Sequence, residues 1–338
     1  MAQTTPDPFL MKVILVTGAT GFLGRHLVAQ LRPAEPDARV RILCRSAAPW
    51  EAEAGLEIFC GDVVRRDHVR RAAEGVQEIY HLAGIVSRDP RDAELLFRTH
   101  VEGTRNVLEA ALEQGAEKVL VVSSSGTIAV SREPVAHDET AGYKHEIVGA
   151  WPYYLSKIFE EKLALDYFAR RKLPVIILNP SLLLGPGDAR HSSTRDVALF
   201  LEGQIRAIPR GGLNFVDVRD AAAGAIGAVQ LGRPGERYLL GGVNWSFREL
   251  IENVARISGR RAPRLHPSLE FSLRSARWLR RIYRLAGKSF KLDDASIRMS
   301  ACFWYCDSGK ARAELGFKTR DPLETLEDTV ADLRRRNV

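Results

Sequence analysis

Short apolar runs alternate with amphipathic stretches through the first half of the chain, and this alternation constrains the fold most. Leu23, Leu27 and Leu31 share one face of the first amphipathic stretch, as in a helix with one buried side. Strands that alternate with helices form βαβ units, so we expect an α/β fold with a parallel sheet covered by helices on both faces. The apolar runs predict buried strands over Val13–Val16, Val40–Leu43, Leu56–Phe59, Ile79–Leu82, Val119–Val122 and Val175–Leu178.

The pattern changes after Pro180, where glycine and proline separate shorter elements. We therefore expect a main domain over residues 11–180 and a smaller C-terminal lobe over 181–338. Arg237–Leu240 is a further apolar run, and we expect residues 215–242 to return to the main domain. Residues 1–10 are polar, contain two prolines and lack the pattern of a signal peptide, which predicts a disordered tail.

Composition excludes several classes of protein. Hydrophobic residues make up 45% and charged residues 27% of the chain, as in an ordinary globular protein. No apolar run approaches the roughly 20 residues that cross a bilayer. Four cysteines are too few for a disulfide scaffold and predict a reducing, cytoplasmic location. Cys302 and Cys306 lack a nearby histidine or second cysteine pair, so we predict no metal site.

A glycine-rich turn follows the first predicted strand. Its spacing is Gly-x-x-Gly-x-x-Gly, in which Gly18 allows a tight turn, Gly21 lets the backbone approach a pyrophosphate and Gly24 permits close helix packing. The following helix presents free N–H groups and a partial positive charge to that phosphate. An ordinary tight turn is the alternative. The context favours dinucleotide binding by Gly18, Thr20, Gly21, Phe22, Leu23 and Gly24.

The end of the second strand indicates which dinucleotide is bound. A carboxylate there would bind the ribose hydroxyls of NAD, whereas Arg45, with Ser46 beside it, offers donors to the 2′-phosphate of NADP. The sequence therefore favours NADP over NAD. Further contacts to the adenine, pyrophosphate and ribose are predicted after the third and fourth strands, from Asp62, Val63, Leu82, Ala83 and Gly84.

Three consecutive serines, 123–125, follow the fifth strand, at the sheet edge where α/β proteins bind ligands. Tyr153 and Lys157 are four residues apart and so share one face of a helix. The ammonium should lower the tyrosine pKa from about 10 and make Tyr153 a general acid or base. Lys157 can also hold the ribose of a nicotinamide, and a serine hydroxyl can polarise a carbonyl. Tyr154 is the alternative acid, three residues from Lys157.

Several segments together resemble the extended short-chain dehydrogenase/reductase superfamily, which includes NAD-dependent epimerases and dehydratases. The resemblance implies a doubly wound, NAD(P)-binding Rossmann domain, a smaller C-terminal substrate lobe and a Ser-Tyr-Lys site. It identifies Ser125 as the catalytic serine and places Asn179, Pro180 and Ser181 beside the nicotinamide. The segments are TGATGFLG (17–24), HLAG (81–84), SSS (123–125), YYLSK (153–157), NPSLLLGPGD (179–188), FVDVRDAA (215–222), GERYLLGG (235–242) and DSGKARAELGF (307–317).

One position departs from the superfamily pattern. His100 stands where members usually have asparagine, so imidazole would replace the carboxamide in hydrogen bonding. Asn179-Pro180 and Arg45 look more like the dihydroflavonol-reductase-like branch than like sugar-nucleotide enzymes. That branch implies NADPH-linked reduction of a small carbonyl substrate by a monomer or homodimer. A sugar-nucleotide epimerase or dehydratase, a 3β-hydroxysteroid-type dehydrogenase and a non-catalytic cofactor sensor are the alternatives.

The positive charge of the chain is concentrated in one segment. Residues 256–284 contain nine arginines and one glutamate, a net charge of +8 in a chain whose total is +7. Within it, apolar residues including Leu273, Leu279 and Ile282 recur at helical spacing, with Arg274 and Arg281 on another face. A helix near 269–286 is thus predicted. It either has a solvated arginine face, or contacts anionic lipid, or caps a pocket for an anionic or lipophilic substrate. No nucleic-acid-binding module accompanies the charge.

Overall fold

The computed structural model describes residues 11–45, 55–285 and 294–336, except for the side chain of Tyr283. The predicted tail over 1–10, the predicted donor Ser46 and the end of the basic helix at Ala286 lie outside the described residues.

The described residues form eleven strands in two sheets. In the larger sheet the strand order is β3-β2-β1-β4-β5-β6-β9, and every neighbouring pair is parallel. The order reverses between β1 and β4, as in doubly wound dinucleotide-binding folds. The predicted fold class is therefore confirmed. The strands are β1 Val13–Thr17, β2 Arg39–Cys44, β3 Leu56–Cys60, β4 Glu78–His81, β5 Lys118–Val122, β6 Val175–Pro180, β7 Leu182–Leu184, β8 Gly212–Asp217, β9 Arg237–Leu240, β10 Val243–Ser246 and β11 Phe303–Trp304.

Helices cover both faces of the larger sheet. None of the helices in the described ranges is long and apolar enough to cross a bilayer. The helices are α1 Phe22–Ala34, α2 Arg66–Ala72, α3 Ala93–Phe97, α4 Gly103–Gln114, α5 His145–Val148, α6 Pro152–Arg171, α7 Arg195–Leu201, α8 Val218–Leu231, α9 Phe247–Ser258, α10 Leu269–Leu285, α11 Asp294–Met299, α12 Gly309–Leu315 and α13 Pro322–Arg335.

The core lies on the two faces of the larger sheet because its central strands are buried on both sides. Along β1, Ile14 and Val16 pack on the face covered by α1 and α8, while Leu15 packs on the face covered by α4 and α6. This explains why the predicted strands are continuous apolar runs rather than alternating ones. Because β1 to β6 are parallel, their carboxyl ends lie at one edge of the sheet.

The smaller sheet has the order β10-β8-β11, with β7 also paired to β8, and packs against α7, α9 and α13. Residues 215–242 were predicted to return to the main domain. Phe215–Asp217 do not, because they belong to β8 in the smaller sheet. The return begins with α8, which packs on α1, and continues with β9 beside β6. A second return, at α12, is made by Ala311 and Leu315, which are buried in the larger core.

Candidate active site

The glycine turn links the end of β1 to the start of α1. Gly18 has a φ of +73°, and a Cβ atom there would lie 2.5 Å from the carbonyl carbon of Leu82. A Cβ on Gly24 would lie 2.3 Å from the Gly18 oxygen, so both positions require glycine. Gly21 precedes α1 with no side-chain cap, which leaves the first N–H groups of the helix available. This bare backbone surface fits the pyrophosphate of a dinucleotide.

The other predicted dinucleotide contacts surround this turn. Arg45 is exposed immediately after β2, and Asp62 follows β3, where its carboxylate accepts a 3.1 Å hydrogen bond from the Val64 amide. Leu23 and Val63 are buried, so their side chains serve packing. Thr20 and Phe22 lie in the turn and at the first position of α1, and Leu82, Ala83 and Gly84 follow β4.

Tyr153 and Lys157 lie in the first two turns of α6, on the side facing the end of β5. The side chain of Ser124 acts on the Tyr153 phenol and favours a lower pKa. Ser124 is one residue before Ser125, which the resemblance identifies; Ser125 is buried and begins a short 3₁₀ turn. The structure thus brings the serine run and the tyrosine together, with Ser124 as the serine whose side chain acts on the phenol.

The direction of the Tyr153 pKa differs from the prediction. Burial of the phenol raises its pKa to about 12, the negative charge of Glu160 acts in the same direction, and only the Ser124 hydrogen bond opposes them. The expected lowering of the Tyr153 pKa by Lys157 is therefore wrong. Tyr153 holds its proton at neutral pH, as a proton donor must.

Tyr154, the alternative acid, has a different environment. Its ring stacks on Trp304, with ring centroids 4.9 Å apart, and Trp151 packs beside both. Gly126 makes room for this cluster, because a Cβ atom there would lie 2.2 Å from the Tyr154 ring. Burial raises the pKa of Tyr154 above its usual value as well. The aromatic cluster forms an apolar wall next to Tyr153, whose ring centroid is 5.0 Å from that of Tyr154.

Lys157 forms a buried ion pair that sequence reasoning missed. Its ammonium donates to the Glu160 carboxylate over 2.7 Å and to the backbone oxygen of Val122 over 2.9 Å. Only 6% of the lysine side chain and 1% of the glutamate side chain are exposed. Burial raises the Glu160 pKa to about 7, although the charge of Lys157 acts in the opposite direction. The pair fixes the ammonium one helical turn from the Tyr153 backbone.

A chain of buried hydrogen bonds connects this ion pair to the glycine turn. The Thr104 hydroxyl donates to Glu160 over 3.1 Å and therefore accepts from Nε2–H of His81 over 2.8 Å. Nδ1 of His81 then accepts from the Thr17 hydroxyl over 2.7 Å. Burial and the nearby Lys157 charge lower the His81 pKa to about 3, so the imidazole is neutral, as this pattern requires. In the sequence, the only sign of this series of hydrogen bonds is His81 in the HLAG segment.

Asn179 and Ser181 have different roles at the end of β6. The Asn179 amide donates to the buried carboxylate of Glu161 over 2.8 Å and to the Ser124 backbone oxygen over 3.0 Å, so it holds the serine turn. Pro180 ends the strand. The Ser181 hydroxyl is buried and has no hydrogen-bond partner in the described part of the chain. An unpartnered polar group at this edge fits the amide of a nicotinamide.

His100 lies in a π-helical turn, Arg98–Glu102, between α3 and α4. Its Nε2 accepts from the Ile85 amide over 3.0 Å. Its Nδ1 lies 2.8 Å from the Ser156 hydroxyl, which itself donates to the Tyr153 carbonyl oxygen. Burial lowers the His100 pKa well below its usual value, so the ring is neutral. Because Nε2 accepts a hydrogen bond, the proton of the ring is on Nδ1. The imidazole thus ties the segment after β4 to the start of α6.

A family model agrees with this geometry. Residues 14–241 match the model described as the NAD-dependent epimerase/dehydratase family. The chain belongs to this family. The predicted resemblance to the extended short-chain dehydrogenase/reductases is confirmed, and their NAD(P)-binding Rossmann fold accounts for the glycine turn and the order of the strands.

Within the NAD-dependent epimerase/dehydratase family, relatives match over nearly the whole chain. A Synechocystis protein named "Putative dihydroflavonol 4-reductase" is 34% identical, covering 93% of this chain and 92% of its own. Sterol demethylase protein B of Methylococcus capsulatus is 31% identical, covering 96% and 99%. The crystal structure of gox2253 is 32% identical and has a TM-score of 0.81, covering 96% of this chain and 98% of that one. The family includes reductases, dehydrogenases and epimerases.

Proposed function

We propose that this protein catalyses the NADPH-dependent reduction of a carbonyl group in a small organic molecule, with Tyr153 as the proton donor. The observation that carries the proposal is the placement of Tyr153 and the buried Lys157 ammonium one helical turn apart in α6, at the end of β5 and beside Gly84. When bound, NADPH supplies the hydride. The remaining tasks, which are to orient the carbonyl, deliver a proton and stabilise the charge that develops, belong to side chains of this chain.

Each side chain has a role in this reaction. The hydroxyl of Ser125 polarises the carbonyl, while Ser124, whose side chain acts on the phenol, orients Tyr153. As the carbonyl carbon is reduced, its oxygen gains negative charge and takes the phenolic proton. Ser124 then favours the phenolate, and the ammonium of Lys157 holds the ribose hydroxyls of the cofactor. A proton from solvent restores the phenol.

The assignment of Ser124 and Ser125 leads to a test by single substitutions. Ser125→Ala should lower kcat for carbonyl reduction by roughly a hundredfold, because the carbonyl loses a hydrogen-bond donor. Ser124→Ala should have a smaller effect, since it removes the group that orients the phenol and the cap of the turn at Ser125, but no donor to the carbonyl. Steady-state kinetics of both variants, with circular dichroism to check folding, provide the comparison. The reverse order would assign the direct role to Ser124.

Arg45 is proposed to select NADPH. It is exposed directly after β2, next to the glycine turn, where a guanidinium can bind a 2′-phosphate bidentately. Arg45→Ala should weaken NADPH binding by roughly tenfold or more and leave NADH binding nearly unchanged. Arg39→Ala, at the opposite end of the same strand, is the matched control. Equal losses for both cofactors in fluorescence titrations would contradict this role of Arg45.

The apolar wall beside Tyr153 supports a substrate with an apolar body. Trp151, Tyr154 and Trp304 present aromatic rings there, and such rings pack well against planar or alicyclic molecules. The names of the Synechocystis and Methylococcus relatives, which refer to a dihydroflavonol and a sterol, support the same class. A sugar-nucleotide epimerase or dehydratase is the alternative function. It is supported by a solved structure that is 25% identical and described as a nucleoside-diphosphate-sugar epimerase.

Cofactor oxidation with two substrate panels tests the proposed function. Aromatic and alicyclic ketones and aldehydes form one panel, and UDP- and GDP-sugars form the other, each with NADPH and with NADH. We expect NADPH oxidation with members of the carbonyl panel only. Conversion of sugar nucleotides without activity on any carbonyl compound would contradict the proposal and support the alternative.

A further inference from the structure

Helix α10 carries an exposed apolar stripe on the outside of the smaller lobe. Phe271, Trp278 and Leu285 are 64%, 65% and 89% exposed, and Ile282 lies between the last two. Separations of seven, four and three residues place these side chains on one face of the helix. Their exposure is unusual, because isolated apolar side chains are common on surfaces but a continuous stripe is not.

The protein uses the opposite face of α10 for packing. Leu273 and Ala276 are buried against Ile297 of α11, and Arg280 forms an ion pair with Asp294 of the same helix. The apolar stripe is therefore not needed to hold α10 in place. It remains available for another surface.

A row of arginines lies next to the apolar stripe. Arg274, Arg277, Arg281 and Arg284 are exposed and follow one another at intervals of three or four residues. Because a helix turns by about 100° per residue, this row lies along one side of the helix, between the stripe and the face that packs on α11. Residues 256–284 contain nine arginines and one glutamate, so the surface is strongly basic.

The basic surface continues into a cleft beside the segment that leads into α10. The cleft has a volume of about 390 Å³ and is lined by Arg206, Arg260 and Arg261 together with apolar side chains including Phe200. The Ile208 amide donates to the carbonyl oxygen of Leu265, which joins the wall of the cleft to the residues just before the helix. Leu265 is itself 66% exposed.

We propose that α10 docks the protein on the surface of an anionic bilayer, with the apolar stripe in the headgroup region and the arginines at the phosphates. An exposed apolar stripe bordered by arginines is the pattern of helices that lie in a membrane interface. Charge complementarity selects this occupant. A second copy docked through the same helix would place five arginines and one glutamate against the same set, whereas a phosphate-rich surface neutralises them.

Docking through α10 would bring the aromatic side of the candidate site towards the bilayer. Ala295 and Met299 of α11 pack against the cluster that contains Tyr154 and Trp304, while Ile297 of the same helix packs against α10. A single short helix thus separates the membrane-facing surface from the aromatic wall. The inference does not depend on the proposed reaction, since binding to vesicles is measured without turnover.

Co-sedimentation with vesicles tests the proposal. The full chain should bind vesicles of phosphatidylcholine mixed with phosphatidylglycerol and bind pure phosphatidylcholine weakly. Binding should fall as sodium chloride approaches about 1 M, where the screening length is about 3 Å. Replacing Arg274, Arg277, Arg281 and Arg284 with Gln should weaken binding by roughly fivefold for each arginine. Phe271→Ser combined with Trp278→Ser should weaken it by about tenfold or more.

Two sets of control substitutions match these changes. Arg65, Arg66, Arg70 and Arg71 are four exposed arginines at and beside α2, and replacing them with Gln removes the same charge elsewhere. Leu231→Ser with Val135→Ser removes exposed apolar groups away from α10. Both sets should retain vesicle binding, and thermal melts should show that all variants fold. No binding at low salt, or equal losses in the test and control sets, would overturn the proposal.

Sedimentation velocity without lipid tests the other possible partner of α10, a second copy of the chain. If α10 instead joins two copies of the chain, the wild type should dimerise and the Phe271→Ser/Trp278→Ser variant should be monomeric, with no vesicle binding by either. That result would overturn the proposal. An oligomeric state that is the same in both proteins, together with vesicle binding by the wild type, supports it.

Discussion

Tyr153→Phe should lower kcat for carbonyl reduction by about a hundredfold to ten-thousandfold while leaving NADPH affinity nearly unchanged. The substitution removes the phenolic oxygen that is proposed to donate the proton, yet keeps the ring that packs against Tyr154. Single-turnover kinetics, measured by loss of NADPH absorbance after mixing with excess enzyme, separates the chemical step from product release. Cofactor titration by fluorescence provides the binding constant.

Tyr154→Phe is the matched control because it removes the same atom from the neighbouring side chain. We expect a small effect on kcat, since the ring still stacks on Trp304. Retained turnover in Tyr153→Phe, or a larger loss in Tyr154→Phe, would show that the proton comes from elsewhere.

Removal of the Glu160 carboxylate should strongly destabilise the fold. Glu160→Leu leaves the Lys157 ammonium buried without its counter-charge, and breaking a buried ion pair in this way costs about 3–5 kcal/mol. It also leaves the Thr104 hydroxyl without its acceptor. Urea unfolding above about pH 8, where the Glu160 carboxylate with its pKa of about 7 is ionised, should therefore show a lower midpoint with a similar dependence on denaturant concentration.

Two further variants isolate the charge effect at this pair. Glu160→Gln retains an acceptor for Thr104 and should lose less stability than Glu160→Leu. Lys157→Met combined with Glu160→Leu removes both charges, and the double variant should be more stable than Glu160→Leu alone because no unpaired charge remains. Additive losses from the two single substitutions would indicate that the lysine and glutamate are not energetically coupled.

The features predicted correctly from the sequence depend on local patterns. Apolar runs and the turns between them determine the strands of the larger sheet, and the predicted Arg237–Leu240 strand coincides with β9. The glycine turn was recognisable because its residues are adjacent in the chain, and the four-residue spacing of Tyr153 and Lys157 directly follows from helix geometry.

The features that were missed depend on contacts between distant segments. Lys157 was expected to lower the pKa of Tyr153, but burial of the phenol and the nearby Glu160 outweigh it, and burial was not visible in the sequence. A glutamate within a predicted helix is normally expected to be solvated. Glu160 is instead buried, and it accepts a hydrogen bond from Thr104, which lies 56 residues earlier in the chain. Packing of α12 against α8 likewise brings the C-terminal region back to the main domain.

The central claim is a net transfer of hydride from NADPH to a carbonyl carbon, and isotope transfer measures this directly. The protein is supplied with NADPH carrying deuterium on one face of nicotinamide C4, in separate reactions for each face, together with the carbonyl substrate identified by the panels. The proposal predicts an alcohol product with one deuterium, on the former carbonyl carbon, from one of the two labelled cofactors and stoichiometric formation of NADP⁺. Product that forms without deuterium from either cofactor, or substrate turnover with no net oxidation of NADPH, would contradict it.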